Sequence, residues 1–145
     1  MHPYPHHYSV QASVGTEGPV TLGSAGLPAL QSTPPPEFDG PPGHWSPETL
    51  LLAAAADCYV LSFRAVAGAS RLVWDDLKVD VQGVLDRVDG VTRFTELRFM
   101  PTLHIANADQ QHLAANVLEK AKKVCLITNS LNARSELKPT VRVGG

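Results

Sequence analysis

The chain has 145 residues, 43% of them hydrophobic and 18% charged, and a formal net charge of −2. One small domain is the default at that length, no basic stripe points to nucleic acid, and no secretory or other targeting segment is evident. Two cysteines are too few for a disulfide scaffold and fit a reducing, cytoplasmic setting.

Residues 1–8 hold His2, His6 and His7 among prolines. Such a tract either binds metal adventitiously or is a mobile, solvated terminus; the second reading is adopted here. Tyr8 to Val14 alternates apolar and polar residues, which predicts a half-buried strand. Gly15 and Gly18 mark a turn, Pro19 to Leu22 suits a short second strand, and Leu27 to Leu30 is a third apolar piece. Residues 31–46, rich in proline and glycine, read as an ordered loop or a flexible lid, because each X-Pro step pushes its neighbour out of helical backbone.

The stretch Pro47 to Gly68 predicts a helix. Ser46 is a good N-cap, Pro47 suits the first turn, Glu48 complements the helix dipole, and Gly68 is placed to end it. Its middle is apolar on almost every side, broken by Asp57 and Arg64, which argues for a buried core helix and against a membrane span. A helix apolar all round needs more cover than one small domain offers, so a partner chain is expected.

Val73 to Gly83 reads as a strand that Val84 to Val88 continues, Asp89-Gly90 as a two-residue hairpin turn, and Thr92 to Ile105 as the return strand. Pro101 predicts a bulge or an edge there. Asp109 is read as the cap of a second helix over 109–123, with Lys120, Lys122 and Lys123 near its end. One or two helical turns follow Cys125, and Pro139 to Val143 closes the chain as a strand. The order of elements predicts an α+β architecture.

Cys58 lies inside the central helix and Cys125 just after the second helix. By residue type alone, two buried and inert thiols are an adequate account. The wider pattern adds to this. The run GPPGHWSPETLLLAAAADCYVLSF, followed much later by KAKKVCLITNSL, resembles the OsmC/Ohr family of osmotically inducible and organic-hydroperoxide-resistance proteins. The resemblance rests on the Gly-rich loop, the Pro-Glu helix start, the cysteine ten residues after Glu48, and the cysteine after a Lys-rich helix end.

It implies antiparallel sheets around a long central helix, an intertwined homodimer, and a thiol peroxidase without a metal or other cofactor. Cys58 would be the peroxidatic thiolate that takes oxygen from an organic hydroperoxide and becomes a sulfenic acid. Cys125 would resolve it as a disulfide, which an external thiol or dithiol reduces. In the family an arginine from the N-terminal region is held by the helix-start glutamate. Here no arginine or lysine precedes Arg64, and the loop offers Glu37, Asp39 and His44 instead.

Helix geometry bears on this independently. Glu48 and Cys58 stand about 15 Å apart along one unbroken helix, so they share a site only if two copies pack antiparallel. The site that the resemblance implies is Cys58, Cys125 and Glu48; the loop adds His44 as a conditional cation and Trp45 and Phe38 as walls of an apolar substrate pocket. The alternative is the same scaffold binding or sensing a small hydrophobic ligand with little peroxidase activity. A third reading, a thioesterase-like enzyme on Glu48, is kept as the remaining rival.

Overall fold

A computed structural model describes residues 1–144 of the chain. They fall into two compact units, Met1–Leu51 and the remainder from Leu52 on.

The first unit is a three-stranded antiparallel sheet in chain order, β1 (Gln11–Ser13), β2 (Val20–Gly23) and β3 (Leu30–Ser32). The first strand is shorter than its alternation predicts. All of its residues are exposed, and so are Val10 and Val14, so no core rewards a longer pairing. The third apolar piece pairs only from Leu30, because a turn closed by the Leu27 amide on the Ser24 carbonyl occupies its start. Of residues 31–46, Gln31 and Ser32 complete β3 and the rest form an ordered loop. Thr33 N–H donates to the Trp45 carbonyl at 2.9 Å, and a 3-10 turn at Pro36–Phe38 ends on Asp39 in left-handed backbone. Gly40 closes that turn where a Cβ would lie 1.7 Å from the Pro34 carbonyl oxygen, so only glycine fits.

Helix α1 (Pro47–Ser70) starts as predicted. Ser46 Oγ accepts the Thr49 amide at 3.2 Å while Thr49 Oγ1 accepts the Ser46 amide at 2.9 Å. This is a capping box with threonine in place of the usual glutamate. The end differs from expectation. The helix passes through Gly68, and Arg71 takes the left-handed position at φ 58°, with Leu72 N–H returning to the Ala67 carbonyl. Arg71 therefore fills the place that glycine usually takes.

In the second unit, β4 (Asp76–Val88) and β5 (Val91–Ile105) form a long antiparallel hairpin. Asp89 and Gly90 both have positive φ, 52° and 78°, the twist-matched turn that the dipeptide predicts. On its other side β5 pairs in parallel with β6 (Arg134–Leu137) and then with β7 (Thr140–Val143). The antiparallel expectation thus holds for the first sheet and the hairpin, while β6 and β7 make this sheet mixed.

Pro101 makes neither a bulge nor an edge. It is buried in the central strand, where β6 pairing ends at Phe99 and β7 pairing begins at Thr102, so its missing N–H falls in a gap of the ladder. The register shift lies instead between Val84 and Leu85. Helix α2 (Gln111–Val124) follows a 3-10 turn, and the cap there is Asn107, whose side chain accepts the Asp109 amide; Asp109 is inside the turn. Helix α3 (Leu126–Asn129) is a single turn.

The core of this unit joins three stripes: Ala55, Tyr59, Phe63, Val66 and Ala67 of α1, alternate residues of β5 from Leu97 to Ile105, and Ala114, Val117, Leu118 and Ala121 of α2. Helix α1 is long and apolar enough to cross a membrane, but it serves here as a core helix. Only 28% of its most apolar stretch is buried, and Leu61 is 53% exposed, so much of its apolar surface is uncovered among the described residues.

Candidate functional site

Cys58 precedes Tyr59 of the buried α1 stripe by one position, which leaves it half-buried beside the core. Cys125 is the hinge between α2 and α3. Its backbone turns extended (φ −66°, ψ 105°), so α2 stops, and its carbonyl accepts the Asn129 amide that starts the next turn. The side chain is fully buried, and both cysteines are free thiols.

Cys58 packs against the buried cluster that contains Cys125, which makes the two thiols neighbours. Burial pushes the Cys125 thiol above its ordinary pKa; the Thr128 hydroxyl, donating to Sγ at 3.2 Å, opposes this, and the neighbouring Cys58 thiol raises it further. Next along α1, the Tyr59 hydroxyl donates to the Leu118 carbonyl at 2.9 Å. Burial holds that phenol well above the usual range, with Glu119 and Cys125 adding to the effect. Both groups are thus neutral near pH 7 in the resting protein.

A groove of about 460 Å³ lies over Cys58. Its walls are Ala54, Leu61, Ala65, Leu126 and Ile127, with Asp57 and Ser62 as the other polar side chains and no cation among them. The arrangement suits a small apolar molecule lying along α1 with one reactive atom against the thiol.

The remaining expected residues lie in the first unit. Glu48 lines a separate cavity of about 290 Å³ with Phe38, Thr33 and Pro34 among its walls. Glu48 Oε1 and Thr33 Oγ1 are both buried there without a hydrogen-bond partner among the described residues. Trp45 is 51% exposed and meets this unit through its backbone, which bridges to Ser32 and accepts from Thr33. His44 is exposed and lines neither cavity. Helix α1 runs unbroken from Glu48 to Cys58, so within one chain they stand about 15 Å apart along the axis and about 80° apart around it. Within the second unit Cys58 thus stands beside Cys125, and within the first unit Glu48 shares a cavity with Phe38.

Thr128 is the residue that the sequence reading passed over. The signal was available, since a hydroxyl three residues after a cysteine in a helical turn falls on the same face. Asn129 and Ser130 cap the backbone beside it, their side chains donating to the Lys123 and Leu126 carbonyls. His104 pairs with Asp76 at 2.7 Å, away from the thiols, and His112 is exposed. Among the described residues no group of three or more histidines, cysteines or acids is placed to hold a metal ion.

Residues 40–140 match the family model for OsmC-like proteins, a stretch that contains both cysteines and Glu48. The chain belongs to the OsmC-like family. It is 29% identical over 146 residues to YmaD of Bacillus subtilis, an uncharacterised protein, with 97% of each chain covered. An OsmC-like protein of unknown function from Vibrio cholerae superposes with a TM-score of 0.82 at 18% identity, covering 93% of this chain and 99% of the other. An organic hydroperoxide resistance protein, OsmC, from Legionella pneumophila gives a TM-score of 0.73 at 26% identity, over 97% of this chain and 100% of that one. The α+β OsmC-like fold expected from the sequence is thereby established.

Proposed function

We propose that this OsmC-like protein is a cysteine-based peroxidase that reduces organic hydroperoxides in the cytoplasm as part of a stress response. The observation that carries the reading is the pairing of a half-buried thiol on an apolar groove with a second, buried thiol beside it. The Cys58 thiolate attacks the terminal oxygen of the hydroperoxide. The O–O bond breaks, the alcohol leaves with a proton, and Cys58 becomes a sulfenic acid. The Cys125 sulfur then attacks the Cys58 sulfur, an S–S bond forms, and water leaves. An external thiol or dithiol reduces the disulfide by exchange and is itself oxidised.

The protein acts as a homodimer in this reading. Uncovered apolar surface on α1 and the unpartnered Glu48 oxygen both call for a second chain. Antiparallel packing of two α1 helices sets Glu48 of one protomer toward the partner's Cys58. Phe38, with Trp45 and His44 nearby in sequence, then belongs to the substrate's surroundings in that composite site.

The test is cysteine-dependent, saturable reduction of cumene hydroperoxide with a dithiol donor, run on the wild type and on Cys58→Ser. Equal activity in the two would remove Cys58 from its role. A monomer in sedimentation at micromolar protein would remove the composite site. A second reading, the same scaffold binding a small hydrophobic ligand with little turnover, is favoured by the groove's lack of any cation to activate Cys58. It predicts ligand binding that survives Cys58→Ser, with no peroxide consumption.

A further inference from the structure

Thr128 is 92% buried by its 8% exposure, yet its hydroxyl does not bond back to its own helix as a helical threonine usually does. The carbonyl three residues back, that of Cys125, accepts the Asn129 amide at 3.0 Å and receives nothing from the Thr128 side chain. The hydroxyl donates instead to Cys125 Sγ at 3.2 Å. The titratable groups beside that sulfur are Cys58 and Tyr59, both from α1, and neither is a cation. The backbone of Thr128 acts on the thiol in the same direction as its hydroxyl. Among the described residues Thr128 thus favours a charged Cys125, against burial and the Cys58 thiol, which disfavour it.

We propose that Thr128 is the positioning residue for the resolving step. Its hydroxyl orients the Cys125 sulfur and stabilises the thiolate that condenses with oxidised Cys58. This rests on the peroxidase reading above. In the step, the Cys125 thiolate attacks the Cys58 sulfur, the S–S bond forms and the S–O bond breaks. The departing hydroxide recombines with the proton given up by Cys125, so one water leaves and no other reactant is needed. When the disulfide is reduced, the same hydroxyl stabilises Cys125 as the leaving thiolate, and a better-stabilised thiolate leaves faster.

The experiment uses Thr128→Val, which keeps the shape and loses the donor, and Thr128→Ser, which keeps the donor. In a Cys58→Ser background Cys125 is the one titrating thiol, and its ultraviolet thiolate absorbance is followed against pH. Thr128→Val is expected to raise the Cys125 pKa by about one unit, an approximately ten-fold loss of thiolate at a given pH below it. Thr128→Ser is expected to restore the titration. In proteins with both cysteines, one equivalent of cumene hydroperoxide is added and the Cys58 sulfenic acid is trapped with a dimedone-type probe. Its lifetime should lengthen by a similar factor in Thr128→Val, with the pH profile of condensation displaced upward.

An unchanged titration in folded Thr128→Val, or a serine variant that behaves as the valine one, overturns the proposal. No peroxide enters that measurement, so it fails independently of the peroxidase reading. A shifted titration with an unchanged sulfenic-acid lifetime also overturns the role in resolution. No sulfenic acid at all overturns the peroxidase reading, and the resolving role with it.

Discussion

Replacing Tyr59 with phenylalanine removes one oxygen from the centre of the core and tests how α1 is tied to α2. Tyr59 is fully buried, its ring packs at 5.7 Å from that of Phe99, and its hydroxyl reaches the Leu118 carbonyl at 2.9 Å. The ring contacts survive the change, and the Leu118 carbonyl keeps its own helical partner one turn on. What is lost is one net buried hydrogen bond, about 1 kcal/mol. For a chain of this size that is a fall in Tm of about 3 °C.

The phenol adds a pH signature. Its pKa is raised from 10.0 by burial, then by Glu119 and Cys125. The folded state therefore holds the proton more tightly than the unfolded state. Above the unfolded value of 10.0 the unfolded chain binds fewer protons, so stability falls as pH rises. Below it the contribution is complete. The wild type should thus lose its advantage over Tyr59→Phe as pH climbs past 10.0, and the gap should be constant between pH 6 and 9, about three pH units on the ionisation argument. Urea melts of both proteins across that range measure it. Equal stability at neutral pH, or a gap that widens in alkali, would refute the reasoning.

Three glycines make further predictions. Gly68→Ala should stabilise by roughly 0.5–1 kcal/mol, because Gly68 is helical and a Cβ there meets nothing; denaturant midpoints check it. Gly83→Ala should destabilise by about 1–3 kcal/mol, since its Cβ would lie 2.8 Å from Leu52 Cδ2 and 2.9 Å from Phe94 Cε1. Gly90→Ala should lower Tm by straining the hairpin turn at φ 78°, at a cost of roughly 1 kcal/mol, although a Cβ there has open space. A thermal melt that left Gly90→Ala unchanged would mean the turn had found another conformation.

Much of this protein is decided within a few residues of chain. Ser46 and Thr49 cap α1 because hydroxyls at that spacing reach each other's amides in any context. Asp89-Gly90 turns the hairpin because both residues tolerate the left-handed backbone that a twisted pair of strands requires. The apolar middle of α1, the two cysteines and Glu48 are equally plain in one dimension, and with the spacing from Glu48 to Cys58 they were enough to suggest the family.

Other features depended on partners distant in sequence. The strand at Arg134–Leu137 went unread because its pairing comes wholly from β5, and Arg98–Glu136 contacts across that pair carry no local signal. Pro101 was misjudged because the gap between β6 and β7 exists only once both have docked. Gly68 was expected to end α1, but packing of Val66 and Ala67 into the core carried the helix on to Ser70. The site divides the same way. Sequence supplied the thiols and the glutamate, but not which of them meet. That Cys125 lies against Cys58 and under the Thr128 hydroxyl follows from α2 stopping at Cys125 over the buried face of α1. Local backbone preference is written in neighbouring residues, whereas burial and side-chain pairing are properties of surfaces that only the folded chain creates.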